Sequence, residues 1–466
     1  MPVPESLRPL AEQVGPALVT EPAGLAAYRT DRSGWTTDEV PLAAVRARDA
    51  ADVVATMRFA SAEGLPVVPR GAGTGLAGGA VGSDGSLVVD VSAMDRVLEI
   101  HAADEFAVVQ PGVVTDDLAA ALAPHGLWWP PDPASRAIST VGGNIATNAG
   151  GLLCAKYGVT RESVLGLAVV LADGTLIRTG HRTVKGVTGY DLTSLLIGSE
   201  GTLGIVVEAT LKLRRRSADP VVTLGAGFPT VVEAAAASAA ITASGLRPAA
   251  LELLDAASCA AIDAYLADVP DMPSLAGRGA YLLVQTDGPA AITESRAAAE
   301  LIRAAGGTVE LAPDEAAGER LLEVRRSAHP AYARLGEVLI EDIAVPRTRL
   351  PAMFAAIERI SATYGLPIPT VAHAGDGNLH PNLVIPRDLP HEAGTYPDVV
   401  WAAAEELFRT AIELGGTLTG EHGVGVLKRR WLEDELGHDV VALSRRIKAA
   451  FDPQGILNPG KVFPGG

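Results

Sequence analysis

The sequence predicts an α+β chain of more than one domain, and three observations carry that prediction. Its 466 residues exceed what one hydrophobic core ordinarily organises, so two or three domains are expected. From about residue 38 to 215, short apolar runs separated by turn residues read as strands with few helices between them. Beyond about 217, alanine-rich helical stretches alternate with strands, the grammar of an antiparallel sheet backed by helices.

Composition narrows the class. Hydrophobic residues make up 48% and charged residues 20%, a globular balance. The formal charge of −17 disfavours nucleic acid or an anionic membrane surface as a general partner, since both need clustered Lys and Arg. A small anionic substrate held by a local arginine pocket remains compatible with it. Cys154 and Cys259 are too few for a disulfide framework, and the first residues lack the basic-then-apolar layout of a secretory leader. A cytoplasmic location is therefore expected, with peripheral attachment to the inner face of the membrane still open. No uncharged apolar run reaches the roughly 18 residues of a spanning helix.

The elements follow in order. Asp49 caps a helix with Val53, Val54, Met57 and Phe59 on one side, and residues 66–69 read as a short buried strand. Three β-rich runs come next, at 86–91, 96–102 and 106–112, and are expected to be antiparallel. A hairpin turn is expected at 172–175 and a long half-buried strand within 202–213. Basic residues 214–216 followed by Asp219 and Pro220 mark a domain boundary. Helices are then expected near 230–244, 255–267 and 292–305, with a strand at 280–288.

Three glycine-rich segments stand out. PRGAGTGLAGG (69–79) formally matches a dinucleotide fingerprint, but its glycines run on toward a strand instead of opening a helix, so a βαβ nucleotide site is not expected. What remains is a backbone-rich loop able to lie against a pyrophosphate. PPDPASRAISTVGGNIATNAGGLLCAKYG (130–158) interleaves glycine clusters with short polar side chains; it is expected to form neither a regular helix nor a strand and to wrap a polar cofactor. IGSEGTLGIV (197–206) leads into the long strand.

A candidate metal site lies further on. His373-Ala-Gly-Asp-Gly-Asn-Leu-His380 is followed by Gly420-Glu421-His422-Gly423, an inventory of imidazole and carboxylate suited to Zn²⁺ or Mn²⁺. In an extended strand the first two histidines would stand roughly 23 Å apart. The glycine turn between them instead predicts a hairpin that folds Thr370 to His373 back on Leu379 to Leu383. Asp376 is read as a turn residue, and Cys154 as a small apolar filler.

Taken together, the three glycine segments resemble the flavin-binding domain of the vanillyl-alcohol oxidase, or PCMH, superfamily. HAGDGNLHPN, GEHGVG and DPQGILNPGK narrow the likeness to the branch holding glycolate oxidase flavoprotein subunits, flavin-type D-lactate dehydrogenases and D-2-hydroxyglutarate dehydrogenases, from about residue 38 to the end. VRRSAHPAYAR (324–334) and EDIAVPR (341–347) look nearest the glycolate oxidase subunit, with His329 in place of the usual aromatic and Ala333 where glycine is frequent. The resemblance implies a PCMH-type FAD-binding domain at 38–216, after a lead-in at 1–37, and a cap domain with the metal site at 217–450. A tail at 451–466 would return to the FAD domain.

It further implies FAD held by Pro69, Arg70, Gly71, Ala72, Gly73, Thr74, Gly75 and Gly79, and by Pro131, Asp132, Ser139, Thr140, Gly142, Gly143, Asn144, Thr147, Asn148, Gly150 and Tyr157. Glu200, Gly201, Gly204, Ile205 and Asn458 complete that set, with Lys461 facing cofactor or solvent. The first loop has no histidine, so the FAD is expected to be noncovalent. His373, His380 and Glu421 would hold the divalent metal, and Arg325, Arg334 and Asn382 would bind a small anionic D-2-hydroxy acid of the glycolate, D-lactate or D-2-hydroxyglutarate type. That acid would be oxidised to the 2-oxo acid with His422 as base and hydride passing to flavin N5.

The residues themselves leave two other readings open: a metal-dependent hydrolase, or a non-catalytic subunit of a glycolate-oxidising complex. Electron acceptors compatible with the likeness are a quinone, a cytochrome, an electron-transfer flavoprotein, an iron–sulfur subunit or oxygen. A homodimer is equally compatible.

Overall fold

The structure is a computed structural model that describes residues 3–391 and 395–464. The outermost residues of the expected lead-in and tail, 1–2 and 465–466, lie outside the described residues. The chain divides into two compact units: Met1–Gly150, Gly158–Arg216 and Glu421–Gly466 form one, and Gly151–Tyr157 with Ser217–Gly420 form the other. Three boundaries depart from expectation, one of them the placing of Gly151–Tyr157, expected within 38–216, in the second unit. The second unit ends at Gly420 instead of 450, because Val424 and Gly425 donate their N–H groups to Glu200 of the first unit. The described part of the lead-in, residues 3–37, is not separate from the domain, because Leu7, Leu10 and Val14 are buried in one core with Val53, Met57 and Phe59.

The first unit holds a four-stranded and a five-stranded sheet. In the smaller one the order is Leu18–Val19, Ala43–Arg46, Leu87–Asp90, Val67–Arg70. Asp49 caps the Ala50–Glu63 helix by accepting from Ala51 and Asp52, and that helix carries the chain from Ala43–Arg46 to Val67–Arg70. Leu87–Asp90 pairs parallel with both neighbours, which corrects the antiparallel expectation for the run at 86–91. Parallel partners need a long crossover, and the glycine segment between residues 70 and 87 supplies it without a helix.

The larger sheet is antiparallel, in the order Val97–His101, Phe106–Val109, Ile205–Lys212, Val164–Val170, Leu176–Gly180. The expected hairpin at 172–175 joins its last two strands in sequence, and the first half of Ile205–Lys212 alternates buried and half-buried residues. The tail returns to the smaller sheet, where Val67 donates to Ile456 and Asn458 donates to Val67 through backbone groups.

The second unit is built on an eight-stranded antiparallel sheet. Its central order runs Val221–Phe228, Ala280–Asp287, Ala250–Asp255, Thr370–His373, Asn378–Ile385, Glu337–Ile340. Helices Val231–Ala243, Ala256–Leu266 and Ala291–Ala304 accompany it, as the alanine-rich runs implied. Residues 151–157 belong here, with Leu152 buried in this unit's core and Lys156 hydrogen-bonded to the Asp287 carbonyl at 3.0 Å.

Candidate functional site

In the first unit the chain presents a ribbon of unspent backbone donors. Among the described residues, no backbone carbonyl accepts from the N–H groups of residues 71–76. Arg70 braces this loop from beneath, donating to the carbonyls of Thr30 at 2.8 Å, Ala80 at 2.9 Å and Ala27 at 3.2 Å. Small side chains are needed here: a Cβ on Gly71 would stand 2.5 Å from Thr140 Oγ1, and one on Gly73 would stand 2.2 Å from an Arg70 nitrogen.

The second glycine segment corrects an expectation. Val141–Thr147 is a helix, although it contains Gly142 and Gly143. Thr140 stops it from fraying, because its Oγ1 accepts from Gly143 N at 3.2 Å, and Asn148 ends it in the left-handed conformation at φ 53°. Gly142 is packed on Pro111, where an added Cβ would fall 2.5 Å from the ring. The short polar side chains are partly spent on the protein itself. Asn144 Nδ2 donates to Thr115 Oγ1 at 2.9 Å, Thr147 to Gly143 O at 3.3 Å, and Asn148 Oδ1 accepts from Arg161 N at 2.9 Å. Ser139 and Thr140 are buried, and Pro131 with them, while Asp132 is half-buried. Tyr157 lies in the second unit, its hydroxyl donating to Asp287 at 2.5 Å.

Glu200 ties four segments of the first unit together. It takes φ 50° and its carboxylate accepts from Val424 N at 2.7 Å and Gly425 N at 2.9 Å. Burial pushes it up to about 7, against the pull of those two N–H groups and of Lys428. A Cβ on Gly79 would lie 3.2 Å from its Oε2, and Asn458 Nδ2 donates to its carbonyl at 2.7 Å and to that of Gly79 at 3.0 Å. Asn458 Oδ1 is buried with no hydrogen-bond partner among the described residues. Gly201, at φ 71°, and Gly204 admit Pro69 and Val169 at distances no Cβ would tolerate, and Ile205 is buried at the start of its strand. Lys461 is buried and bonded to the Val81 carbonyl at 3.1 Å, and desolvation pulls it down to about 8.

In the second unit the expected hairpin forms. Thr370–His373 pairs antiparallel with Asn378–Ile385, and His373 stands opposite Asn378 while His380 stands opposite Val371. Because side chains repeat every two residues, both imidazoles share one face. Their ring centroids are 5.2 Å apart, edge to face, and both residues are buried. Asp376 serves the turn, its Oδ1 accepting from Asn378 N at 3.1 Å.

Sequence reasoning missed the acids behind this pair. Glu252, on the adjacent strand and opposite His373, places Oε1 2.8 Å from His373 Nδ1. Asp342 Oδ1 lies 3.8 Å from His380 Nδ1, and Asp342 also accepts from Asn378 Nδ2 at 2.6 Å. The overlooked signal was Glu252 flanked by leucines within the strand ALELLD, and an acidic pair in the run LIEDIAV.

The three expected substrate contacts fare differently. Arg325 is buried and its Nε donates to Glu252 Oε2 at 2.7 Å, which commits one edge of the guanidinium to that carboxylate. Arg334 is exposed, with its guanidinium 4.4 Å from the centroid of the Tyr265 ring. Asn382 is buried and spends its amide donors on the carbonyls of His380 at 2.7 Å and Pro369 at 3.1 Å, which leaves only its oxygen for a ligand. Glu421 and His422 open the last segment of the first unit, with His422 Nε2 3.9 Å from Glu421 Oε1 and Gly150 admitting the Glu421 carboxylate.

Comparison with known proteins matches residues 41–180 to the family described as "FAD binding domain" and residues 218–462 to "FAD linked oxidases, C-terminal domain". The chain is 43% identical to the glycolate oxidase subunit GlcD of Bacillus subtilis (strain 168), over 91% of this chain and 89% of that one. It is 33% identical to the mitochondrial D-lactate dehydrogenase [cytochrome] of Arabidopsis thaliana, over 91% of this chain and 74% of that one. In fold it is similar to 4-ethylphenol oxidase from Gulosibacter chungangensis, with a TM-score of 0.76 at 19% identity, covering 98% of this chain and 97% of that one.

Proposed function

The chain belongs to the family of FAD-linked oxidases, and on that premise we propose that it oxidises a small 2-hydroxy acid, glycolate or D-lactate in type, to the 2-oxo acid. The observation that carries this reading is the buried His373–His380 pair, with Glu252 in hydrogen-bond contact with His373 Nδ1 and Asp342 3.8 Å from His380 Nδ1, in a chain whose other unit matches the FAD-binding family.

The residues of the first unit fit FAD. Donors at residues 71–76 and the unsatisfied Asn458 Oδ1 complement a ligand that carries both phosphate oxygens and hydroxyl groups, and glycines keep the backbone open to it. Bound FAD would supply the two-electron acceptor. The segment 69–79 contains no histidine, cysteine or tyrosine, so noncovalent attachment is the proposal.

The second unit fits a divalent cation, Zn or Mn, through His373 and His380, and Glu421 is proposed as a third ligand. Gly420, to which Glu421 is covalently joined, packs on the hairpin: a Cβ there would sit 2.3 Å from Asn378 Nδ2. The cation would supply positive charge that acidifies the substrate hydroxyl. His422 is proposed to take the hydroxyl proton as the Cα–H bond gives up its electron pair. Asn382 Oδ1 would orient the substrate. A water-activating hydrolase is set aside, since the relatives are oxidoreductases.

The relative from Bacillus subtilis is named as a subunit, which supports transfer of the electrons to a protein partner. No helix among the described residues is long and apolar enough to cross a membrane.

The test is anaerobic spectroscopy. Purified protein should be yellow, and glycolate or D-lactate should bleach it, whereas Glu421→Ala should retain its flavin and lose the bleaching. A colourless protein, unchanged after saturation with FAD, would sink the proposal.

A further inference from the structure

We propose that Glu252 and Arg325 are positioning residues that fix the protonation and orientation of His373, so that Nε2 is its cation-facing nitrogen. This rests on the reading of His373 as a metal ligand.

Glu252 is wholly buried at the middle of Ala250–Asp255, a strand with every residue buried. A carboxylate in such a place is retained only when both oxygens are partnered. Here they are: Oε1 lies 2.8 Å from His373 Nδ1, and Oε2 accepts from Arg325 Nε at 2.7 Å. The backbone imposes the first contact, because Glu252 and His373 are direct partners in the strand register. Arg325 arrives from the Glu315–Arg326 helix and supplies the opposing charge.

A carboxylate accepts and does not donate, so the proton of a neutral His373 sits on Nδ1 and the lone pair on Nε2. Two consequences separate this from a plain buried ion pair. Loss of Glu252 lowers cation affinity, and the loss is routed through His373 alone. Arg325 acts on His373 through Glu252, whose Oε2 it holds with Nε at 2.7 Å.

The experiment uses the full chain with FAD bound and metal removed by chelation, titrated with Co²⁺ and read by the visible absorption of the bound ion. Wild type, Glu252→Gln, His373→Ala and the double variant are compared, with flavin content measured in each. Glu252→Gln should bind Co²⁺ about 10- to 100-fold more weakly with its flavin retained. In the His373→Ala background the same change should have no further effect. Wild-type affinity in Glu252→Gln, or an equal weakening in both backgrounds, overturns the proposal.

If Glu252→Gln strands Arg325 and costs soluble protein, Glu252→Gln with Arg325→Gln removes both charges. That variant should bind Co²⁺ as weakly, and wild-type affinity in it likewise overturns the proposal. Failure of the metal reading itself looks different: wild type binds no Co²⁺, or His373→Ala binds as wild type does, and the inference falls with it.

Discussion

Asn458 donates its side-chain amide to the carbonyls of Gly79 at 3.0 Å and Glu200 at 2.7 Å, so one tail residue holds two glycine segments in register. Asn458→Ala strands both carbonyls, and each buried one costs about 1–3 kcal/mol. Asn458→Asp should fare no better, since a carboxylate cannot donate. Both variants should melt earlier and release FAD at lower urea than wild type, followed by the rise in flavin fluorescence; wild-type flavin retention in both would contradict the role.

Glu200 gives the first unit a pH dependence. Its folded value, about 7, lies above the ordinary 4.5, so the folded state keeps a proton that the unfolded state releases. Stability from this group is full below about 4.5 and is lost as pH rises through about 7. Asp255 of the second unit, pushed by burial to about 6, has the same sign. Urea midpoints should therefore fall between pH 5 and pH 7.5, and Glu200→Gln should flatten part of that fall. An unchanged slope in the variant would place the dependence elsewhere.

Gly142→Ala should be costly for packing reasons alone. Its Cβ would press on Pro111 at 2.5 Å from the ring and 2.9 Å from the carbonyl, within a helix start fastened by Gly142 N to Pro111 O at 2.7 Å. Overpacking of this kind costs about 1–3 kcal/mol. Gly85→Ala, at φ 68° with nothing within 4 Å, bears only backbone strain of about 1 kcal/mol. Thermal unfolding should rank Gly142→Ala below Gly85→Ala, and flavin content should drop only in the former.

The two arginines should separate in steady-state kinetics. Arg334 is exposed over Tyr265, so Arg334→Ala should change kcat/KM for glycolate or D-lactate less than threefold if it does not meet the substrate. Arg325→Ala leaves the buried Glu252 without its charge partner at Oε2 and should lower kcat/KM by two orders of magnitude or more. A reversed order would restore Arg334 as the substrate clamp.

The helices of the second unit were legible because alanine-rich runs bounded by caps leave few choices; Thr230 and Asp255 cap two of them as such residues do. The hairpin at 370–385 was legible from its glycine turn. The helix Val141–Thr147 was not, since paired glycines argue against helix and only the docking of Gly142 on Pro111 and the Thr140 cap overrule them. The parallel pairing of Leu87–Asp90 was hidden because a glycine loop stands where a crossover helix is usual. In the site, histidines announce themselves by type. Glu252 acquires meaning only from a register joining residues 252 and 373, which local sequence does not encode.

The division of the chain also sets an order of events during synthesis. The first unit depends on its last segment: Asn458 bridges Gly79 and Glu200, Lys448 donates to Thr202 O, and Val67 pairs with residue 456. Those contacts lie beyond the whole of Ser217–Gly420, so on the ribosome the inserted unit emerges complete before its host can close. Until then the flavin-binding loops lack their final strut, and newly made protein should acquire FAD only after the tail has been released.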